Sequence, residues 1–247
     1  MRTDLLKMEL RFIGERIRQR VWRSSNFFST AWSPRYVDIP PGERFLVLAP
    51  HPDDDVIGCG GTISKLLAAG KSVRIAYFSL QSSVQFSRIE RLAEIQRALD
   101  ILGVKDFSFL GESFPLKEDL ISVLREEIAS HRYDSVFLPS PIENHDQHTS
   151  VFWAFHELNR RKEVPEMNAI LFEVWTPVVA NMLVDISEFI HRKTEAIRAH
   201  ATQTALVDYH IAAEGLGSYR ASMSGHKGYA EAFFFQTGSD LLRTFRK

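Results

Sequence analysis

Phe45-Leu46-Val47-Leu48-Ala49 is an unbroken apolar run that stops at Pro50. A strand without polar alternation has to be covered on both faces. That demand constrains the fold most, because it calls for helices above and below a largely parallel sheet. The chain that follows supplies them. After a turn rich in glycine (Gly58, Gly60, Gly61), Thr62 to Ala69 reads as a helix that stops at Gly70. Ser72 to Phe78 reads as a second strand. Residues 88–102 place Ile89, Leu92, Ile95, Leu99 and Leu102 at helical spacing, with Gly103 as the stop. Phe107 to Leu110, Ser135 to Leu138 and Ala169 to Val174 read as further strands, and 116–131 and 150–160 as helices between them. The tail from Ile186 reads as mostly helical and polar.

Strands alternating with helices in this way imply an α/β fold, a Rossmann-like, mostly parallel sheet with helices on both faces and right-handed crossovers. A length of 247 residues suits one such domain, placed over 44–247. Residues 1–43 precede it as an amphipathic helix and a connector. In 1–23, Leu6, Leu10, Ile13, Ile17 and Val21 share one face, and seven basic residues stand against three acidic ones. Such a helix fits peripheral contact with an anionic membrane surface. It equally fits packing on the main domain or on a second copy in a homo-oligomer, and its mixed charges favour packing.

Composition excludes several classes. Thirty basic residues balance thirty-one acidic ones, so the whole chain is not built to hold nucleic acid. No run of about 18 apolar residues is present, so no transmembrane segment is expected. The N-terminus lacks the apolar core of a signal peptide. Cys59 is the sole cysteine, so no intrachain disulfide can form and a reducing, cytoplasmic location is expected.

In open α/β sheets, ligands bind beyond the carboxyl ends of the strands. Two polar clusters stand at such ends: His51-Pro52-Asp53-Asp54-Asp55, and Glu143-Asn144-His145-Asp146-Gln147-His148. Alone, the first would be a turn that caps a helix, and the second surface polarity. Together, each at a strand end, they make a metal site the better reading. Imidazoles with one carboxylate form a hydrolytic zinc set, and a second Asp is then free to act as a base.

These residues resemble a known family. Ala49-Pro50-His51-Pro52-Asp53-Asp54-Asp55 and Gly58-Cys59-Gly60-Gly61-Thr62 are similar to the signature of the LmbE/PIG-L-like zinc-dependent N-deacetylases. Arg91-Leu92-Ala93-Glu94 with Leu102-Gly103 resembles the family's RxxE…LG helix. Glu173-Val174-Trp175, Asn181, Val184-Asp185-Ile186, Lys193 and His200-Ala201-Thr202-Gln203 follow in the family's order, and Tyr229 to Phe233 resembles its ending. The resemblance implies removal of acetyl from an N-acetylated amino sugar or sugar conjugate of the N-acetylglucosamine (GlcNAc) type. It implies His51, Asp54 and His148 as ligands of one zinc per chain, a set that would also take iron(II) or cobalt. Asp53 would be the general base. His145 would stabilise the oxyanion, protonate the leaving amine, or both. Asp55 and Asp146 would support the site from behind. Arg91 reads equally as a substrate-binding residue that reaches a phosphate or sugar hydroxyl and as a surface or helix-pairing arginine.

Three departures from the family stand out. Asp55 replaces the usual Glu. The family's HxDH reads His145-Asp146-Gln147-His148, which puts the Asp one place early and leaves open whether Asp146 orients His145. Ser79-Leu80-Gln81-Ser82-Ser83 replaces a segment that commonly carries Asp-Gly. Other residues read as structural: Trp175 as core, His226 and Arg220 as a solvated loop, and Cys59 as small packing. Two other functions fit the residues less well. A non-catalytic module binding a sugar nucleotide would not need the full His/Asp set. A phosphoesterase would need more bridging carboxylates than are present.

Overall fold

The computed structural model describes residues 34–80 and 87–245. The expected helix of 1–23 lies outside the described residues, as do Gln81, Ser82 and Ser83. Among the described residues, eight strands form one sheet in the order β1-β7-β8-β6-β5-β2-β3-β4. They are β1 (Arg35–Val37), β2 (Arg44–Ala49), β3 (Ser72–Tyr77), β4 (Asp106–Phe109), β5 (Ser135–Pro139), β6 (Asn168–Phe172), β7 (Met182–Asp185) and β8 (Ala230–Gln236). All pairings are parallel except those of β8, which runs against both β6 and β7. The helices are α1 (Asp54–Ala68), α2 (Arg88–Leu102), α3 (Lys117–Ser130), α4 (Asp146–Arg161), α5 (Ile190–Ala199), α6 (Ala201–Thr204), α7 (Tyr209–Met223) and α8 (Gly238–Thr244).

The apolar run behaves as its composition requires. Phe45, Val47 and Ala49 of β2 enter one core layer, with Val56, Ile63 and Leu66 of α1 and Ile95 and Leu99 of α2. Leu46 and Leu48 enter the other, with Leu120 and Leu124 of α3 and Val151 and Phe155 of α4. The sheet is therefore covered on both faces. From β2 the chain proceeds outward to β3 and β4, whereas β5 returns to the other side of β2 and leads on to β6. The strand order thus reverses between β2 and β5, and a crevice opens at their carboxyl ends.

The outer strands depart from the sequence reading. The connector contributes β1 to the sheet, because Arg35 to Val37 pair in register with Met182 to Val184. The tail is not only helical, since β8 inserts between β6 and β7. Helix α1 also starts earlier than expected, at Asp54, and runs through the glycines with a break at Cys59 (φ −148°). A Cβ on Gly58 would come within 2.4 Å of the Phe172 ring, and one on Gly61 within 2.7 Å of Ile186. The glycines are there for close packing of α1 on its neighbours. After the break the helix is capped by the buried carboxylate of Glu231, which accepts from Gly61 N (2.9 Å) and Thr62 N (2.7 Å). Lys193 Nζ neutralises that carboxylate at 2.6 Å.

Candidate metal centre and active site

The loop from β2 to α1 and the segment leading into α4 bring the two polar clusters together. His51 Nδ1 lies 3.3 Å from Asp54 Oδ2, His148 Nε2 lies 3.2 Å from the same oxygen, and His148 Nε2 lies 3.3 Å from His51 Nδ1. Three donor atoms therefore form a nearly equilateral triangle. A tetrahedral zinc site with bonds of about 2.0–2.1 Å has edges of ~3.3 Å, so these residues fit one face of such a site. His51, Asp54 and His148 are the cluster with metal-ligand geometry among the described residues, and all three are buried.

The surroundings draw positive charge into this triangle. Burial works against a charged imidazole, yet Asp54 and Glu143 push His148 up to about 10. Burial would likewise raise Asp54, but the His148 and His51 partners hold it below the usual carboxylate range. Glu143 Oε2 stands 3.7 Å behind His148 Nδ1. The same carboxylate accepts from Val174 N (2.8 Å) and Trp175 N (3.1 Å), which ties the loop after β6 to the site.

Asp53 occupies the turn before α1 with φ +132°, a conformation that costs a non-glycine residue roughly 1–3 kcal/mol. That conformation is braced from behind. Arg91 Nη2 donates to the carbonyl of Pro52 at 3.1 Å, and Arg91 Nη1 donates to Glu94 Oε2 (3.0 Å) and Thr202 Oγ1 (3.1 Å). Glu94 in turn accepts from Thr202 N at 2.7 Å. Arg91 was expected at the substrate. Its side chain is instead fully buried, committed to Pro52, Glu94 and Thr202, and the structure gives it a bracing position. Burial and the adjacent Asp54 carboxylate push the Asp53 carboxyl well above its usual range. Asp55 lies beneath, accepting from Tyr77 Oη at 2.9 Å, and burial pushes it up to about 6.

His145 precedes α4 as its N-cap, half-buried, with its ring centroid 4.9 Å from His51 and 4.8 Å from His148. Burial and those two imidazoles lower its pKa, so the neutral form is favoured. Its Nδ1 accepts from Gln147 N at 3.3 Å, which leaves the proton on Nε2. Asp146 is exposed at the start of α4, and its backbone carbonyl accepts from Thr149 and Ser150. Its carboxylate reaches His145 only as a weak charge effect.

A pocket of about 70 Å3 opens over the triangle, lined by His51, Asp53, Asp54, His145, Trp175 and Tyr209, among others. Trp175 was expected in the core. It is half-exposed at the mouth instead and packs edge-on against Tyr209 with ring centroids 5.6 Å apart. Burial, with Asp53 and Asp54 nearby, pushes Tyr209 up to about 12, so its hydroxyl stays a donor. A lone Tyr opening a helix carries no signal in sequence, and Tyr209 was missed. Arg220 lies outside the pocket, paired with Glu173 and donating to Val178 O at 2.9 Å. His226 is exposed and stacks on Tyr36.

Comparisons with known proteins bear on the fold and the family. Residues 46–158 match the family described as PIG-L: GlcNAc-PI de-N-acetylase. A diacetylchitobiose deacetylase from Thermococcus kodakarensis is 28% identical over 231 residues, covering 79% of this chain and 84% of that protein. The crystal structure of the conserved protein TT1542 from Thermus thermophilus superposes with a TM-score of 0.65 at 28% identity, over 77% of this chain and 93% of that one. An N,N'-diacetylchitobiose deacetylase from Pyrococcus horikoshii shares the fold at 24% identity, with a TM-score of 0.64 over 80% of this chain and 85% of that one. No helix among the described residues is long and apolar enough to cross a membrane.

Proposed function

We propose that this chain, whose residues 46–158 match the PIG-L family of de-N-acetylases, hydrolyses the acetamide of an N-acetylated amino sugar, or of a conjugate carrying one, and releases acetate. The observation that carries this reading is the His51–Asp54–His148 triangle beneath a pocket whose wall holds Asp53 and His145. Zinc is the metal we assign, since two imidazoles and one carboxylate with room for water form a hydrolytic zinc set. We assign residues 44–247 to the deacetylase domain, and the single buried Cys59 is in keeping with a cytoplasmic setting.

A bound zinc would lower the pKa of a water to about 7 and polarise the amide carbonyl. The chain's own residues do the rest. Asp53, with its raised pKa, takes a proton from the attacking water as oxygen adds to the carbonyl carbon. The His145 Nε2–H faces the tetrahedral oxyanion and donates to it, a contribution typically worth roughly 3–4 kcal/mol. Asp53 then hands its proton to the amine nitrogen, the C–N bond breaks, and acetate and the free amino sugar leave. Arg91 acts from behind by fixing the Pro52 carbonyl, and with it the Asp53 backbone.

The test is acetate release from a panel comprising GlcNAc, N,N'-diacetylchitobiose and a GlcNAc-inositol glycoside, before and after chelation. Release that a chelator abolishes and zinc restores is the expected result. Folded, zinc-loaded protein that releases no acetate from any of them, yet cleaves a phosphate ester, would overturn the assignment.

A further inference from the structure

Gln147 is where this chain leaves the HxDH pattern, since it occupies the place of that pattern's Asp. Its side chain turns to the other polar cluster. Gln147 Oε1 is in hydrogen-bond contact with His51 Nε2, ninety-six residues away in sequence. Its backbone N–H supports His145, donating to Nδ1 at 3.3 Å. His51 meanwhile presents Nδ1 to Asp54 Oδ2 and His148 Nε2.

We propose that Gln147 is a positioning residue that sets the tautomer of His51. Its amide oxygen accepts the Nε2–H and leaves the Nδ1 lone pair directed at the metal site. The inference rests on the reading of His51, Asp54 and His148 as ligands. A neutral imidazole carries one proton, and a protonated nitrogen cannot ligate. An acceptor held against Nε2 therefore selects the tautomer that can bind through Nδ1, and it fixes the plane of the ring. The helix provides the hold, because Gln147 sits in the first turn of α4, one residue before His148. One residue thus couples the two polar clusters: its side chain orients the ligand of the first, and its backbone orients the half-buried imidazole of the second.

The experiment uses the full chain. Zinc affinity is measured by chelator competition for the parent, Gln147→Met and Gln147→Glu, alongside the melting temperature of each metal-free protein. The methionine variant keeps side-chain length and removes the acceptor. It is expected to bind zinc roughly 10- to 100-fold more weakly at an unchanged metal-free melting temperature. The glutamate variant, which restores an acceptor, is expected to bind at least as tightly as the parent. Nitrogen-15 NMR of the metal-free parent is expected to show His51 protonated at Nε2. Parental zinc affinity in Gln147→Met, an equal loss in Gln147→Glu, or a His51 proton on Nδ1 would each overturn the proposal. None of these readouts needs turnover, so a protein that binds zinc normally and releases no acetate would sink the deacetylase reading alone.

Discussion

The two walls of the pocket are built on different principles. On the β2 side, Asp54, Asp55, Arg91 and Glu94 are all at or near full burial, and each makes at least one hydrogen bond to a named partner. On the open side, His145 at the start of α4 is half-buried, Asp146 is exposed, and Trp175 in the loop after β6 has 51% of its surface open. The first wall is a fixed network that holds charge in place. The second meets whatever enters. Damage to the buried groups, His148 of α4 included, should therefore cost metal, fold or proton transfer, and damage to the open side should cost turnover or substrate affinity while the protein stays intact.

The largest effect is expected from His148→Ala. Removing one corner of the donor triangle should bring zinc content, read by elemental analysis, to background and turnover with it. Asp53→Asn sharpens the division inside the buried wall. It should keep about the parental zinc content and lose roughly 10²–10⁴-fold in kcat, since only proton transfer is removed. Arg91→Ala tests whether the brace is structural. Leaving Glu94 buried without its partner should cost about 3–5 kcal/mol in denaturant unfolding. A change in KM at unchanged stability would instead return Arg91 to the substrate. His145→Ala, on the open wall, should lower kcat by roughly 10²–10³-fold with melting temperature and zinc unaltered. Trp175→Ala should have the smallest effect, a several-fold rise in KM with kcat retained. A collapse in stability there would mean that the wall is not open.

The same contrast decides what could be read from sequence. His51, Asp53 and Asp54 could be grouped because they follow closely on an apolar run that had to be a central strand, and His148 because its polar cluster comes in the segment after a second such strand, β5. Arg91 and Glu94 were visible as an RxxE pair, but burial is a property of the assembled layers. Only the docking of α2 against Pro52 and Thr202 turns a polar pair on a helix into an internal brace. Trp175 was misassigned for the converse reason: an aromatic beside a strand reads as core unless the loop is known to fold over Glu143. The outer strands escaped for want of local pattern. β1 has three residues and β7 four, too few for any periodicity, and both are defined by distant partners. The glycines of α1 read as a turn because helices disfavour them. Contact with Phe172 and Ile186 is what demands them, and that contact is invisible until the sheet is assembled.

The central claim is that one metal, held by His51, Asp54 and His148, supports hydrolysis of an acetamide. The most direct test is to strip the protein with a chelator and return zinc in measured equivalents. Acetate release from an N-acetylated amino sugar is then followed at each addition. The account predicts no release from stripped protein and a rise that saturates at about one zinc per chain. Full release from stripped protein, or a rise that continues to two or more equivalents, would contradict it.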